Sequence, residues 1–250
     1  MTTLEHWSTM FDAWAGQDPL LASTGEPSNP EEMASVAQVL AEWMGLDGSQ
    51  RALDVGCASG TLTSMWACEA AHVTGVDYCL ALLQDAITAH VDGDISFVRA
   101  DGANLPFDDD LFDSICSYAM MLCLPDQGYV DRAIEELLRV ASPNARIVIG
   151  GLPDNTCRDV FFDHCDAMTP WYRRAIPRNV RWMAKRVLKP NSTPGQTAIL
   201  WFDVAAMAER LRSRGYTVTI EHDPEFSNYA AYRKTLVLTR HVSQPKEQSQ

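Results

Sequence analysis

Between Arg51 and Thr63 the chain reads Arg-Ala-Leu-Asp-Val-Gly-Cys-Ala-Ser-Gly-Thr-Leu-Thr. An apolar run with β-branched character stops at Gly56, the next residues are too small to crowd a ligand, and a helical pattern begins at about Thr61. This predicts a strand, a tight glycine turn and a helix start. Glycine suits the turn because it takes positive φ freely and, lacking a Cβ, lets a bound molecule lie against the backbone. The helix that follows points unpaired N–H groups at whatever sits there. Such a unit belongs in an open α/β sheet, where ligands bind beyond the carboxyl ends of the strands.

Two further carboxylates strengthen the reading. A second strand, 72–76, runs into Asp77, which follows Gly56 by 21 residues. At that distance an acidic residue after the second strand of a nucleotide-binding βαβ unit reaches ribose hydroxyls. A third strand, 95–99, runs into Asp101-Gly102, where another carboxylate can receive an adenine amino group.

These pieces resemble the class I S-adenosylmethionine-dependent methyltransferases. The matching motifs are Leu53-Asp54-Val55-Gly56-Cys57-Ala58-Ser59-Gly60, Thr74-Gly75-Val76-Asp77, Arg99-Ala100-Asp101-Gly102-Ala103-Asn104-Leu105-Pro106-Phe107 and Phe112-Asp113-Ser114-Ile115. The resemblance covers roughly 51–151, with a looser match to the C-terminal strands. It implies an α/β Rossmann-like fold: seven strands, mostly parallel, the last antiparallel, helices on both faces and a helical cap. It also implies S-adenosyl-L-methionine as cofactor. By the same resemblance Asp54, Gly56, Cys57, Ala58 and Gly60 contact the methionine end, Asp77 and Tyr78 the ribose and adenine, Asp101 and Gly102 the adenine amino group, and Ser117 or Tyr118 the sulfonium side. Ala58 departs from the pattern, standing where the family often has its middle glycine; binding is expected to survive so small an intrusion. A nicotinamide dinucleotide is the competing ligand, but a pyrophosphate would not welcome the carboxylate of Asp54 two residues before the first glycine.

Composition sets the frame: 250 residues with 46% hydrophobic and 21% charged fit one large soluble α/β domain, 1–250. No stretch approaches the ~20 apolar residues of a membrane helix, and the N-terminus lacks a basic-then-apolar signal pattern, which reads as cytoplasmic sequence. Seven cysteines without a C-x-x-C pair favour neither a disulfide framework nor a zinc site; no metal is expected. They read as small buried hydrophobes, with Cys57, inside the cofactor turn, the one to watch.

Charge divides unevenly along the chain. Residues 1–150 carry 5 Lys and Arg against 23 Asp and Glu, a net of −18, while 155–190 carry 8 against 3, a net of +5. The acidic body deters nucleic acid, whereas the basic block calls for an anionic ligand.

In chain order, 1–45 is an N-terminal arm and helix. Trp7, Phe11 and Trp14 in the arm either pack over the cofactor, as in the family, or cover a core edge. Asn29-Pro30-Glu31-Glu32 starts the helix with a cap, a proline at the first position and an early acid, and Gly45 ends it. The cofactor core, 51–153, predicts helices near 61–70 and 79–90, a solvated turn at Asp108-Asp109-Asp110, strand 114–117, a helix capped by Asp126 and broken by Pro143 and Asn144, and strand 146–150. Alternation stops in 154–200, a segment too long for an ordinary loop. It reads as a cap and substrate insertion, or as a homodimer interface. Residues 201–241 resume with a helix capped by Asp203 and stapled by Phe202 against Met207, then strands 217–221 and 235–240 as a hairpin; 242–250 reads as a disordered tail.

Methyl transfer from a sulfonium needs mainly alignment and removal of water. Only an acceptor that must lose a proton needs a base. His164, Asp154 and Tyr118 are the candidates, with His222 and Asp223 also within reach of the mouth. Arg173, Arg174, Arg178 and Arg181, with Trp171 and Tyr172, suit a phosphate or carboxylate gripped by forked hydrogen bonds under aromatic cover; individually they equally suit a solvated face. The expected activity is methylation of oxygen or nitrogen on a small anionic metabolite, such as a phosphorylated or nucleotide-linked sugar or an acidic natural product. A tRNA or other nucleic-acid methyltransferase, a catalytically inactive scaffold of the same fold, and another S-adenosylmethionine-dependent chemistry are the rivals.

Overall fold

The computed structural model describes residues 29–90, 94–161, 200–224 and 230–240. The predicted arm before residue 29, nearly all of the cap and the tail after 240 lie outside the described residues.

Helix α1 spans Pro30–Met44; the Asn29 side chain accepts from the Glu31 N–H, and Gly45 ends it in the left-handed region at φ +67. Strand β1, Arg51–Val55, is followed by α2, Thr61–Trp66, β2, His72–Asp77, α3, Leu80–Ala89, and β3, Ile95–Arg99. Then come β4, Phe112–Tyr118, α4, Gln127–Val140, β5, Ala141–Pro153, α5, Val204–Ser213, β6, Tyr216–His222, and β7, Arg233–Arg240. The seven strands form one sheet in the order β3-β2-β1-β4-β5-β7-β6. β7 runs antiparallel to both neighbours, and the first five strands pair parallel. The expected seven-stranded sheet, mostly parallel with an antiparallel last strand, is therefore present.

Alternation along the central strands builds two cores, one on each sheet face, because successive side chains point to opposite sides. Leu53, Val55, Ile115, Ile147 and Ile149 join the apolar faces of α4 and α5. Ala52, Cys116 and Val148 face α1 and Trp66 instead. Two bonds pin α1 to that second face: Trp66 Nε1 donates to the Ala37 carbonyl at 2.9 Å and Ser114 Oγ to the Met44 carbonyl at 2.9 Å. Asp126 and Asp203 cap their helices as expected, accepting from the Tyr129 and Ala206 amides. Phe202 and Met207 are both buried in the core shared with α5.

Several boundaries differ from expectation. α2 stops at Trp66 instead of running to about 70, and β4 is longer at both ends. β5 begins at Ala141, ahead of Pro143 and Asn144, because the register against β4 jumps from Phe112↔Ala141 to Ser114↔Arg146. The proline falls within that irregularity, where a missing N–H breaks no ladder bond.

Between β3 and β4 the chain crosses without a helix, and Arg139 on α4 holds it in place. Its guanidinium donates to the carbonyls of Phe107 (2.7 Å) and Leu105 (3.0 Å) and to the carboxylates of Asp109 (2.8 Å) and Glu136 (2.8 Å). Glu136 completes the clamp by accepting the Leu105 N–H at 2.7 Å. The triple-acid turn is thus tied to α4 through Asp109, and Asp110 takes the left-handed conformation at φ +57. Removing the guanidinium leaves two carbonyls and two carboxylates without their donor. Arg139→Ala is expected to cost about 1–3 kcal/mol of unfolding free energy at neutral pH. Arg139 holds the Glu136 carboxyl below its ordinary value, so this stabilisation is lost as pH falls through the carboxylate range. Urea unfolding of both proteins at pH 7 and pH 3 checks the size and the trend.

Candidate functional site

Three strand ends meet above the parallel half of the sheet. The β1 turn is pinned to the end of β2: the amides of Gly56 and Cys57 both donate to the Val76 carbonyl, at 2.8 and 3.0 Å. The end of β3 is pinned to β2 as well, through the Ala100 N–H on the Asp77 carbonyl at 3.1 Å. Asp54, Asp77 and Asp101 therefore stand on adjacent strands around one region.

Asp77 is bound to backbone through both carboxylate oxygens. Its Oδ2 accepts the Ala58 N–H at 2.9 Å and its Oδ1 the Cys79 N–H at 2.8 Å. Burial raises its pKa while these backbone bonds oppose the rise. One carboxylate thereby joins the glycine turn to the start of α3.

The turn is strained at one point. Ala58, standing in the family's glycine position, has φ +48, where glycine is at ease and an L side chain is not. Gly56 and Gly60 have φ +87 and +77, and a Cβ on either would strike protein atoms, Met120 at 2.7 Å and Phe97 at 2.8 Å. Met120, just after β4, also approaches Gly102, whose added Cβ would lie 3.1 Å from its Cε. These glycines thus serve close packing by protein side chains as well as any ligand. Nothing in the linear pattern marked Met120.

Asp54 is buried, with its Oδ2 accepting the Thr63 hydroxyl at 2.6 Å. Burial pushes its pKa up to about 7; the Thr63 bond pulls it down and the nearby charge of Asp77 raises it further. A buried carboxyl poised there gains from a cationic partner, because an adjacent positive charge favours the ionised form. Thr63 is the partner the sequence reading missed; its signal was a hydroxyl on the inward face of α2. Cys57 is also buried, and burial drives its thiol pKa well above the ordinary value, so it is not a ready nucleophile.

The remaining candidates fall in different places. Tyr78, 37% exposed, follows β2 and stacks under the Arg99 guanidinium at 5.8 Å. Asp101 Oδ1 accepts the Ala103 N–H at 2.9 Å, and Oδ2 accepts the Tyr129 hydroxyl. Ser117 is fully enclosed, and its hydroxyl has no hydrogen-bond partner among the described residues. The Tyr118 hydroxyl donates to Asp223 at 2.8 Å, and Asp223 also accepts from the Thr235 hydroxyl (2.8 Å) and the Gly151 N–H (3.2 Å). Asp154 caps a short 3₁₀ turn through the Thr156 N–H, and His222 lies 2.9 Å from Lys234 Nζ at the exposed sheet edge. His164, Trp171, Tyr172, Arg173, Arg174, Arg178 and Arg181 lie outside the described residues. At the base of the insertion Phe161, Trp201 and Tyr232 form an aromatic group with Arg158 over the Trp201 ring at 5.2 Å. Among the described residues no cluster of His, Cys, Asp and Glu could hold a metal, and no helix is long and apolar enough to cross a membrane.

Comparison with known proteins agrees with the fold. A family model described as a methyltransferase domain matches residues 53–149. An uncharacterised protein of Mycobacterium tuberculosis is 32% identical over 206 residues, covering 76% of this chain and 73% of its own. A demethylmenaquinone methyltransferase of Clavibacter sepedonicus is 27% identical over 185 residues, covering 69% of this chain and 67% of its own. The matches to two further enzymes of that name span 42% and 55% of their length. The N-methyltransferase NodS of Bradyrhizobium japonicum, solved with S-adenosyl-L-homocysteine, superposes with a TM-score of 0.62 at 18% identity, covering 94% of this chain and 98% of its own. At that identity the likeness is one of fold.

Two outcomes follow from the strained and desolvated groups. Asp54→Asn removes a buried charge and is expected to stabilise the unliganded protein by about 1–4 kcal/mol at pH 8. Because folding raises the Asp54 pKa, the wild type loses stability as pH climbs from about 4 to 7. The advantage of the variant therefore opens over that window, and denaturant titrations at pH 4, 6 and 8 measure it. Ala58→Gly relieves the left-handed alanine but loosens the unfolded chain, for a net gain of up to about 1 kcal/mol. A fall in melting temperature would contradict the strain assigned to Ala58.

Proposed function

Because the chain belongs to the class I S-adenosylmethionine-dependent methyltransferases, we propose that it methylates an oxygen or nitrogen of a small anionic acceptor. The carrying observation is the linkage of the three strand ends through backbone bonds and the Asp77 carboxylate. A left-handed turn clipped to β2, a carboxyl on β1 poised to ionise beside a cation, and a carboxylate beyond β3 fit the parts of one adenosyl sulfonium in order. S-adenosylmethionine, when bound, supplies a sulfonium-activated methyl group.

The residues of the chain divide the remaining work. Asp54 takes the ammonium of the methionine end, so its carboxyl gives up a proton on binding. Asp77 and Tyr78 hold the ribose and the face of the base, and Asp101 with Gly102 holds the amino edge. Tyr118, its proton directed to Asp223, orients an acceptor beside the ends of β4 and β5; an acceptor that must lose a proton uses a base, for which His164 and Asp154 are the other candidates. Positioning of this kind accounts for most of the rate such a displacement requires.

The anionic acceptor rests on charge. Residues 155–190 carry a net of +5 beside a body of −18 over 1–150, and forked guanidinium groups such as those of Arg173, Arg174, Arg178 and Arg181 prefer phosphate and carboxylate. Trp171 and Tyr172 supply the aromatic cover. A second reading, a quinol accepting the methyl group on a ring carbon, is favoured by the alignment to a demethylmenaquinone methyltransferase. Opposite expectations separate the two, since a quinol needs no cation.

Calorimetry with S-adenosylhomocysteine tests the cofactor half. The wild type is expected to bind, and Asp77→Ala to bind at least about tenfold more weakly, since a hydrogen bond to a charged group contributes about 1.5–3 kcal/mol. Unchanged affinity would remove Asp77 from the site. A panel of sugar phosphates, nucleotide sugars, aromatic carboxylates and short-chain quinols, assayed for S-adenosylhomocysteine release, tests the acceptor half. Turnover confined to quinols would overturn the anionic acceptor.

A further inference from the structure

The amino edge of the adenine subsite has a second member that no motif marks. Tyr129 lies in the first turn of α4, where its N–H donates to the capping carboxylate of Asp126 at 2.8 Å. From there its hydroxyl reaches Asp101, beyond the end of β3, and donates to Oδ2. The other oxygen, Oδ1, accepts the Ala103 N–H at 2.9 Å. Donors on both oxygens fix the plane of the carboxylate. The ring is held in turn by the Arg132 guanidinium 4.6 Å above it, and it packs against the larger core.

We infer that Tyr129 is a positioning residue for base recognition: by fixing the Asp101 carboxylate it makes this edge accept a 6-amino purine and reject a 6-oxo purine. This rests on the reading of Asp101 as the partner of the adenine amino group. With the phenol proton committed to Asp101, the edge presents oxygen lone pairs. An adenine amino group donates into them. A 6-oxo purine brings a carbonyl oxygen to the same place, and the anchored carboxylate cannot turn to meet the ring N1–H. Burial and the Asp101 bond both raise the Tyr129 pKa, so the phenol remains a donor to Asp101 throughout the neutral range.

The test compares S-adenosylhomocysteine with S-inosylhomocysteine on the full chain by calorimetry. Wild-type protein is expected to prefer the adenosyl compound by roughly a hundredfold or more, as a site built around one hydrogen-bonding group rejects its replacement. Tyr129→Phe keeps the ring and its stacking while freeing the carboxylate. Its adenosyl affinity is expected to fall about tenfold, and the preference to shrink to about tenfold or less. A merely structural tyrosine would weaken both ligands alike, so an unchanged preference overturns the inference. Tighter adenosyl binding by the variant would also overturn it, because the hydroxyl would then be competing with the base. If wild-type protein binds neither ligand, the cofactor reading itself falls; normal adenosyl binding with an unchanged ratio defeats only the role of Tyr129.

Discussion

One carboxylate holds the ligand-facing end of this sheet together. Asp77 accepts two backbone amides from different segments, Ala58 in the β1 turn and Cys79 at the start of α3. Without an acceptor there, two partly buried N–H groups would be left unpaired, each costing about 1–3 kcal/mol. The same carboxylate is the group expected to meet the ribose. Structural support and the proposed ribose contact thus fall on one side chain, which is possible because each carboxylate oxygen has lone pairs for more than one donor.

The site concentrates arrangements that an ordinary core avoids. A left-handed alanine lies on each side of it, Ala58 in the β1 turn and Ala119 after β4 with φ +56. Ala119 is crowded against Gly151, where an added Cβ would lie 2.8 Å from the Ala119 backbone. Asp54 is buried with a pKa of about 7, and the enclosed Ser117 hydroxyl has no partner among the described residues. Strain and desolvation of this order persist only where the surroundings over-determine them. Here the surroundings are the parallel ladders of β1 with β2 and β4, and the two cores that clamp them from either face.

The fold was largely legible because its signals are local. Asn29, Pro30 and Gly45 mark α1, Asp126 and Asp203 mark α4 and α5, and alternation marks β6 and β7; each acts within a few residues of itself. The strand-end acids were legible for a related reason: in a βαβ unit a fixed crossover length turns sequence distance into position. Tertiary pairings were not. Thr63 on Asp54, Tyr129 on Asp101 and Asp223 on Tyr118 join residues 9, 28 and 105 positions apart. No periodicity encodes such a bond, since it depends on where two elements pack. β5 was begun too late because Pro143 and Asn144 read as the break after α4, and only the register jump against β4 lets them sit inside a strand.

The proposed acceptor would meet this frame at the Tyr118 network. Asp223 gathers Tyr118 from β4, Gly151 from β5 and Thr235 from β7, and Gly150 lets the Tyr118 ring lie flat on β5, since a Cβ there would strike it at 2.6 Å. Three donors from three strands fix the plane of the Asp223 carboxylate, which makes it an orienting group. Its effect is to turn the Tyr118 proton inward. Under the proposed function, an acceptor carrying O–H or N–H suits this oxygen, whose hydrogen is already engaged. On the same proposal, selection among such groups falls to the segment leaving β5. That is where the net charge of the chain changes sign.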